Sequence, residues 1–202
     1  MYLTKLTLNT RHRDARRDLA NTYEMHRTIM RAFPDRAEGG PGRVLFRVEP
    51  TRDDEPPVVL VQSEKQPDFD GLPEGYASVQ GPKGYNLDLR PGQKLRFRLR
   101  ANATVKRDGK RLGLMRDEDH RDWLIRKAKP CGFAPIRFHS TRAARVQYRK
   151  GTGDQAASQT HQSVDFEGVL QVIDPEKLTA AIAAGIGPAK AFGFGLLSLA
   201  PA

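Results

Sequence analysis

The sequence predicts an α+β protein built from two tandem ferredoxin-like domains, each with the element order β-α-β-β-α-β. The chain has 202 residues, enough for two domains of roughly 100 residues, and 38% of them are hydrophobic, enough to form a core in each. Short strand-like runs alternate with a few helical segments, and the same order of predicted elements occurs twice. The joint is expected near residues 90–100, with an N-terminal domain over residues 1–92 and a C-terminal domain over residues 93–202.

The elements of the first repeat follow from hydrophobic spacing and from turn residues. Met1–Asn9 alternates between apolar and polar residues, as a strand does. Apolar residues at helical spacing over Leu19–Phe33, followed by Pro34, indicate a helix with a clear end. The elements expected after it are strands at Arg43–Glu49 and Val58–Ser63, a short helix near Leu72–Val79, and a strand at Lys94–Arg100.

The second repeat is predicted in the same way. Ala101–Leu114 is expected to form a strand or hairpin, and Asp117–Ala128 a helix that its first residue caps. Asp174 and Pro175 have the residue types of an N-cap and a first-turn proline, and the helix that they begin is expected to end near Gly185. The strands expected around these helices are Phe133–Phe138, Ala144–Arg149, Ser163–Ile173 and Gly193–Leu199.

The composition excludes several classes of protein. No apolar run reaches the roughly 20 residues of a membrane span, and the first segment lacks the apolar stretch and cleavage site of a signal peptide. A single cysteine, Cys131, excludes an internal disulfide framework and a cysteine-based zinc site. The reducing cytoplasm is therefore the expected location.

The positive charge is concentrated in the middle of the chain. Residues 90–150 carry 19 Lys and Arg against 5 Asp and Glu, a net charge of +14, whereas residues 1–89 have a net charge of −1 and residues 151–202 of −3. A concentrated positive field favours a polyanion, because each phosphate that is neutralised releases condensed counterions. Nucleic acid is therefore the favoured partner, and the alternative is a basic face that is merely solvated.

The sequence predicts neither a metal site nor a small-molecule cofactor. Four histidines, His12, His120, His139 and His161, are scattered along the chain, and none has the spacing of metal ligands. Acidic residues cluster only at Asp53–Glu55 and Asp117–Asp119. A solvated turn and a helix N-terminus explain these two clusters better than a two-metal nuclease site does.

The segment from Asn21 to Arg27 is the stretch richest in reactive side chains. Asn21 is a good N-cap, and Glu24 stands where it would complete a capping box. Tyr23 and His26 are three residues apart, so both side chains project from one face of a helix. The positive end of a helix attracts phosphate and disfavours imidazolium, which suits proton transfer at a phosphodiester. The alternative is an apolar helix residue beside an ordinary surface histidine.

A second notable segment, residues 185–195, contains four glycines in eleven residues and is called here the glycine block. Glycines allow a backbone to approach a ligand closely and to present N–H groups to an anion. The spacing matches neither a P-loop nor a dinucleotide-binding fingerprint. A structural loop that begins with a helix C-cap glycine is the alternative.

Five sequence segments together carry a family resemblance. They are MYLTKL at the start, Tyr23-x-x-His26 followed by Pro34, FRLRAN at Phe97–Asn102, FEGVL at Phe166–Leu170, and GIGPAK…GFGLLSLAP at Gly185–Pro201. With these motifs the chain resembles the CasE family, the CRISPR-associated endoribonucleases that process precursor CRISPR RNA in type I-E systems. The motifs occur in family order, and the resemblance covers essentially the whole chain.

The resemblance implies a fold, an activity and partners. Members have two ferredoxin-like domains, recognise the stem-loop of the CRISPR repeat, cut at the 3′ base of the stem without a metal, and remain bound to the product as a subunit of Cascade. By the family motif, His26 is the catalytic histidine and Tyr23 its companion. RNA supplies its own nucleophile, the 2′-OH, so the expected products are a 2′,3′-cyclic phosphate and a 5′-OH. Whether His26 acts as the general base or the general acid stays open at this point.

RNA contacts are expected from basic side chains and from the glycine block. The basic side chains are Arg27, Arg31, Arg98, Arg100, Lys106, Arg107, Lys110, Arg111, Arg142, Arg145, Arg149 and Lys150. The contacts expected in the glycine block are Gly187, Lys190, Gly193 and Gly195.

The chain departs from the family pattern at two places. Ala103 follows FRLRAN where the family usually has proline. The loop 151–162, expected to lie in a hairpin that grips the RNA stem, contains no Lys or Arg. Contacts there would have to come from the four basic residues at positions 142–150.

Two other functions compete with the nuclease. The first is a non-catalytic RNA-binding subunit with the same two domains, in which the helix that carries Tyr23 and His26 has only a structural role. The second is a basic DNA-binding or architectural protein, against which the absence of a basic helix-turn-helix pattern counts.

Overall fold

The protein is an α+β chain in the computed structural model, which describes residues 1–50, 54–142, 146–150 and 157–202. It contains two four-stranded sheets, which confirms the predicted α+β class. The chain divides into two compact units. The first comprises Met1–Asn86, the described part of Gln147–Gln159, and Ala191–Gly193; the second comprises Leu87–Val146, Thr160–Lys190 and Phe194–Ala202.

The first unit is built around one antiparallel sheet. Its strands are β1 (Tyr2–Leu8), β2 (Val44–Val48), β3 (Val58–Ser63) and β4 (Ala77–Gly84), and its helices are α1 (Arg13–Ala20) and α2 (Thr22–Met30). The strands lie in the order β2-β3-β1-β4. Short 3-10 turns occupy Arg36–Glu38 and Phe69–Gly71. Strands β1, β2 and β3 agree with their predictions to within one or two residues.

The predicted helix over Leu19–Phe33 is wrong in one respect, since two helices meet at Asn21. The backbone of Asn21 is extended, with φ −138° and ψ 100°. Its N–H donates to the carbonyl of Arg17 at 2.9 Å and ends α1, while its side chain accepts from the N–H of Tyr23 at 3.1 Å and begins α2. The predicted N-cap is confirmed. The predicted capping box is wrong, because the Asn21 N–H is already bonded and Glu24 instead accepts from Arg27.

The stretch between β3 and the second sheet also differs from its prediction. A helix was expected near Leu72–Val79, but the chain makes the 3-10 turn at Phe69–Gly71 and then enters β4, where Val79 pairs with Leu6 of β1. Strand β4, ASVQGPKG, is mostly exposed and contains Gly and Pro, so it lacks the alternation that marks a strand. The segment Lys94–Arg100, expected as the fourth strand of the first repeat, belongs instead to a strand of the second sheet, Lys94–Ala101.

The core of the first unit lies between its sheet and its helices. The buried side chains that form it are Leu6, Leu8, Ala15, Met25, Ile29, Ala32, Phe33, Phe46, Val59, Val61, Phe69 and Tyr76. Helix α2 buries Met25 and Ile29 against this core, so the opposite face of the helix points outward. The same helix carries Tyr23 and His26.

The second unit contains the other four-stranded sheet. Its elements are β5 (Lys94–Ala101), β6 (Thr104–Arg107), β7 (Lys110–Gly113), α3 (Asp117–Ala128), β8 (Phe133–Arg142), β11 (Val164–Val172), α4 (Pro175–Ala184) and β12 (Leu197–Pro201). The strands lie in the order β12-β5-β11-β8, all antiparallel. Strands β6 and β7 form the hairpin expected within Ala101–Leu114. A further two-stranded sheet consists of β9 (Val146–Lys150) and β10 (Ala157–His161), and most of its described residues belong to the first unit.

The helix ends of the second unit test the cap predictions. Helix α4 has the predicted cap: the Asp174 carboxylate accepts from the N–H of Lys177 at 3.1 Å, Pro175 follows, and Gly185 ends the helix at φ +77°. Helix α3 has its predicted bounds but not its predicted cap. Arg116 is the N-cap residue and makes no side-chain cap bond, while Asp117 lies inside the first turn.

The last strand begins later than predicted. Strand β12 starts at Leu197 rather than at Gly193, and a 3-10 turn, Lys190–Phe192, precedes it. Gly193 and Gly195 have φ of +83° and +91°, which a strand ladder does not accommodate.

Candidate active site

Helix α2 carries the two side chains that the sequence analysis predicts as catalytic. The Asn21 cap fixes where the helix begins, so Tyr23 is its second residue and His26 its fifth. Both side chains are partly buried, whereas the neighbouring Arg27 is exposed and pairs with Glu24 at 3.2 Å. The helix therefore presents a phenol and an imidazole on a part of the surface that is only partly open to water.

The imidazole of His26 lies against an aromatic ring. Its ring centroid is 6.3 Å from that of Phe46 in β2, and the two planes differ by 15°. The Nδ1 atom of His26 is buried and has no hydrogen-bond partner among the described residues. Burial lowers the pKa of His26 below its ordinary value, because the charged imidazolium loses hydration there. The neutral form is therefore the dominant one at pH 7.

Tyr23 also packs against an aromatic ring, from the far end of the sequence. Its ring stacks on that of Phe192 with centroids 6.2 Å apart and planes 30° apart. The next residue, Gly193, is buried beside Phe46: a Cβ added to Gly193 would lie 3.2 Å from Cε2 of Phe46. The short segment Ala191–Gly193 therefore reaches both members of the predicted catalytic pair, Tyr23 directly and His26 through Phe46.

The rest of the glycine block is shaped by contacts within the second unit. Gly187 has φ +86°, and a Cβ there would lie 3.1 Å from the Trp123 ring. At Gly195 a Cβ would lie 2.9 Å from the carbonyl oxygen of Ile186. The Lys190 ammonium donates to the carbonyl of Gly187 at 2.6 Å. Packing of the protein on itself thus accounts for the glycines, and their contact with RNA stays a prediction.

The basic residues predicted to contact RNA have different surroundings. Lys106, Arg107, Lys110 and Arg111 are all exposed on the β6–β7 hairpin. Arg98 and Arg100 of β5 instead face acidic residues of β11. Arg98 pairs with Glu167 at 2.8 Å, and Arg100 forms a two-pronged pair with Asp165 at 2.7 and 2.9 Å. The four hairpin cations are therefore more accessible than Arg98 and Arg100, and contact of any of these six residues with RNA stays a prediction.

Arg31 lies at the end of helix α2. It is the C-cap residue of α2, and it is exposed. Together with Phe33, Gln66 and Asp68 it lines an open cavity of about 350 Å³.

Four predicted contacts lie where the structure gives little or no description. Arg145 is outside the described residues. Arg142 is the last residue of β8, and Arg149 and Lys150 end β9; the structure describes these three residues by their backbone alone. Their roles stay predictions.

The described part of the chain contains neither a metal-binding cluster nor a helix that could span a membrane. No group of three or more His, Cys, Asp or Glu side chains there could hold a metal ion. None of the helices described is long and apolar enough to cross a membrane.

Phe46 and Phe192 are not among the site residues predicted from the sequence. Both looked like ordinary apolar residues, Phe46 within a predicted strand and Phe192 within a glycine-rich loop. The available signal was their position: Phe46 stands in the strand that follows the helix, and Phe192 stands within a recognised family motif.

The chain was compared with known proteins. A family described as "CRISPR associated protein" matches residues 1–201. The CRISPR-associated endoribonuclease Cse3 of Thermus thermophilus is 46% identical, and the Cascade subunit CasE of Escherichia coli is 35% identical, each over 100% of both chains. A solved structure of the endoribonuclease Cse3 bound to a 19-nucleotide RNA superposes with a TM-score of 0.92 at 45% identity, covering 100% of both chains.

Two antiparallel sheets and a helix bearing a partly buried phenol and imidazole define an α+β protein with the side chains for acid–base chemistry. The matches along the whole length narrow this class to one family. The chain belongs to the CasE family of CRISPR-associated endoribonucleases, which confirms the resemblance seen in its motifs.

Proposed function

We propose that this protein binds the stem-loop of CRISPR repeat RNA, cleaves it at the 3′ base of the stem, and stays with the product as a subunit of Cascade. Three observations support the proposal. The Thermus thermophilus relative is named an endoribonuclease, the Escherichia coli relative is named a Cascade subunit, and a solved relative holds RNA. The non-catalytic and DNA-binding alternatives have no comparable support.

The fold proposed for this activity is a pair of ferredoxin-like domains, residues 1–92 and 93–202. Numbered by their order along the chain, the strands of the first sheet lie in the spatial order fourth, first, third, second, and so do those of the second sheet. In the second unit a helix follows the first strand and another follows the third, as the ferredoxin-like order requires. In the first unit the 3-10 turn Phe69–Gly71 stands where the second helix would be.

His26 is proposed as the general base. A base must be neutral before it can accept a proton, and burial keeps the pKa of His26 below its ordinary value. The imidazole takes the proton of the 2′-OH, whose oxygen attacks the adjacent phosphorus. The new 2′-O–P bond forms as the bond from phosphorus to the 5′-oxygen breaks, which leaves a 2′,3′-cyclic phosphate and, after protonation, a 5′-OH.

Tyr23 is proposed as the partner of His26 at the phosphate. Its phenol can donate a hydrogen bond to a non-bridging oxygen or supply the proton that the leaving 5′-oxygen needs. The phenol and the imidazole stand three residues apart on α2, which places both on one side of the helix. No protein nucleophile is needed, since the RNA supplies its own.

The RNA is proposed to bind through its phosphates, with the exposed hairpin cations Lys106, Arg107, Lys110 and Arg111 contributing to the contact. Arg27, Arg31 and Lys190 remain proposed contacts near the catalytic helix and in the glycine block. Arg98 and Arg100 would have to exchange acidic partners for phosphate, so we expect them to contribute less.

The single observation that carries the proposal is the partly buried imidazole of His26, whose pKa burial lowers, on the helix that also bears Tyr23. The test is to incubate the protein with a repeat stem-loop in EDTA, beside the same RNA with a 2′-deoxy sugar at the scissile nucleotide. Cleavage of the first RNA with tight, uncut binding of the second is the expected result. Cleavage of the deoxy RNA at the same position would contradict attack by the 2′-OH.

A further inference from the structure

We propose that Phe46 is a positioning residue for the His26 imidazole and that Gly193, by lacking a side chain, leaves the space that the Phe46 ring occupies. The glycine block would then support the chemical step through packing. This inference rests on the proposed role of His26. It assigns to these two residues a role that requires no contact with RNA or with the reacting atoms.

The first step is the stack of the two rings. The centroid separation of 6.3 Å and the interplanar angle of 15° lie within the range of offset aromatic stacking. Phe46 is fully buried, and the pairing of β2 with β3 sets Phe46 opposite Val61. A ring fixed by a strand and by the core offers the imidazole a rigid surface to lie on.

The second step concerns the Nδ1 atom of His26, the ring nitrogen that a neighbouring group would be expected to hold. A catalytic histidine usually donates its second ring N–H to a carboxylate or carbonyl, which sets the ring orientation. Nδ1 of His26 is buried without a hydrogen-bond partner among the described residues. Packing against Phe46 is therefore the contact that the described residues show for orienting the ring.

The third step is the space that Gly193 leaves. A Cβ at this position would lie 3.2, 3.6 and 3.7 Å from three carbons of the Phe46 ring. The backbone there has φ +83°, which side chains other than hydrogen rarely allow. A larger residue at 193 would push the Phe46 ring, and through it the imidazole that lies against it.

The test replaces Phe46 and a matched control. Phe46→Leu removes the stacked ring, and Phe69→Leu makes the same change in the same hydrophobic core. Three quantities are measured on each: the single-turnover cleavage rate at saturating stem-loop, the Kd for uncleaved 2′-deoxy stem-loop, and the pKa of His26 from an NMR titration of its ring, assigned by its absence in His26→Ala.

We expect Phe46→Leu to slow cleavage by about 10- to 100-fold, since small misplacements of a catalytic group have effects of that size. The Kd should stay within about threefold, and the His26 pKa should move up toward its ordinary value as water reaches the ring. Phe69→Leu should lower the melting temperature about as much as Phe46→Leu does, but it should leave the cleavage rate and the His26 pKa unchanged. Gly193→Ala tests the same contact from the other side, because its Cβ would press on the Phe46 ring. It should slow cleavage while the Kd for the stem-loop stays unchanged.

The proposal fails if Phe46→Leu retains the wild-type rate and His26 pKa, or if Phe69→Leu lowers the rate as much. Loss of RNA affinity in Gly193→Ala with an unchanged saturating rate would assign Gly193 to RNA contact instead. These outcomes are separable from failure of the proposed function. If His26→Ala cleaved normally, the catalytic role of His26 would be wrong, while the titration would still report whether Phe46 covers the ring.

Discussion

The hydroxyl of Tyr76 donates a 2.9 Å hydrogen bond to Oδ2 of Asp18, although the two residues are 58 positions apart in the sequence. Both side chains are fully buried, and the other carboxylate oxygen of Asp18 accepts two bonds from Arg17. The Tyr76 hydroxyl also lies 3.6 Å from Sδ of Met25 on α2. This cluster joins the end of α1, helix α2 and the turn before β4.

Tyr76→Phe should destabilise the protein without altering its chemistry. The change removes one partner from a buried carboxylate, a loss of about 1–3 kcal/mol. The melting temperature should fall, while Tyr2→Phe, made at a partly exposed tyrosine, should change it little. Cleavage measured well below the melting temperature should match that of the wild type. An unchanged melting temperature would mean that this hydrogen bond adds nothing to stability.

His26→Ala should reduce cleavage by about 10²–10⁴-fold, the usual contribution of a general acid or base. Affinity for the stem-loop should remain within a few-fold, because the imidazole is proposed to move a proton rather than hold the RNA. Single-turnover cleavage and a binding titration with 2′-deoxy RNA measure the two quantities separately. Wild-type cleavage by this variant would remove His26 from the mechanism.

Tyr23→Phe should slow cleavage less than His26→Ala does. The variant keeps the aromatic ring that stacks on Phe192 and loses only the hydroxyl. A single-turnover rate equal to that of the wild type would show that the phenol takes no part in the reaction.

The pH dependence of cleavage should distinguish a base from an acid at His26. Burial lowers the His26 pKa below the ordinary value of about 6.5, so the neutral base is already dominant at pH 7. If His26 accepts the proton, the single-turnover rate should rise with pH below about 6.5 and be level by pH 7. A rate that falls as pH rises through the same range would assign the acid role instead.

The same lowered pKa should make stability depend on pH. His26 and His161 both have pKa values lowered by burial, so the unfolded chain binds protons more readily than the folded one. Their contribution to stability should be complete above about pH 6.5 and decrease as pH falls through the folded-state pKa values. Melting temperatures of the wild type and of a His26→Gln variant between pH 5 and 8 test this, and equal slopes for the two proteins would contradict it.

Binding of the stem-loop should weaken steeply with salt if the β6–β7 hairpin contacts phosphates. Each neutralised phosphate contributes about 0.7–0.9 log units of affinity per log unit of salt. Charge reversal of Lys106, Lys110 and Arg111 together should weaken binding and flatten the slope. The control reverses three exposed lysines of the first unit, Lys5, Lys65 and Lys83, which changes the net charge equally. Equal effects of the two triple variants would show that overall charge, rather than the hairpin, governs binding.

Local signals in the sequence were sufficient for most elements and for the candidate catalytic pair. Helix α3 and the first turn of α4 could be predicted because hydrophobic spacing and capping act within a few residues. Tyr23 and His26 could be named because their spacing and a family motif both lie within one helix. The basic segment could be located because charge is a sum over composition.

Tertiary structure decided the relationships that no short window contains. The alternation in Lys94–Ala101 indicates a strand, but only its pairing with β11 and β12 decides to which sheet it belongs. Val79 could not be assigned to a strand from its neighbours, because an edge strand lacks the pattern of a buried face. The contact of Phe192 with Tyr23 joins positions 169 residues apart. Such contacts depend on how the whole chain packs, and therefore the sequence determined which residues could carry the chemistry while the fold decided what holds them in place.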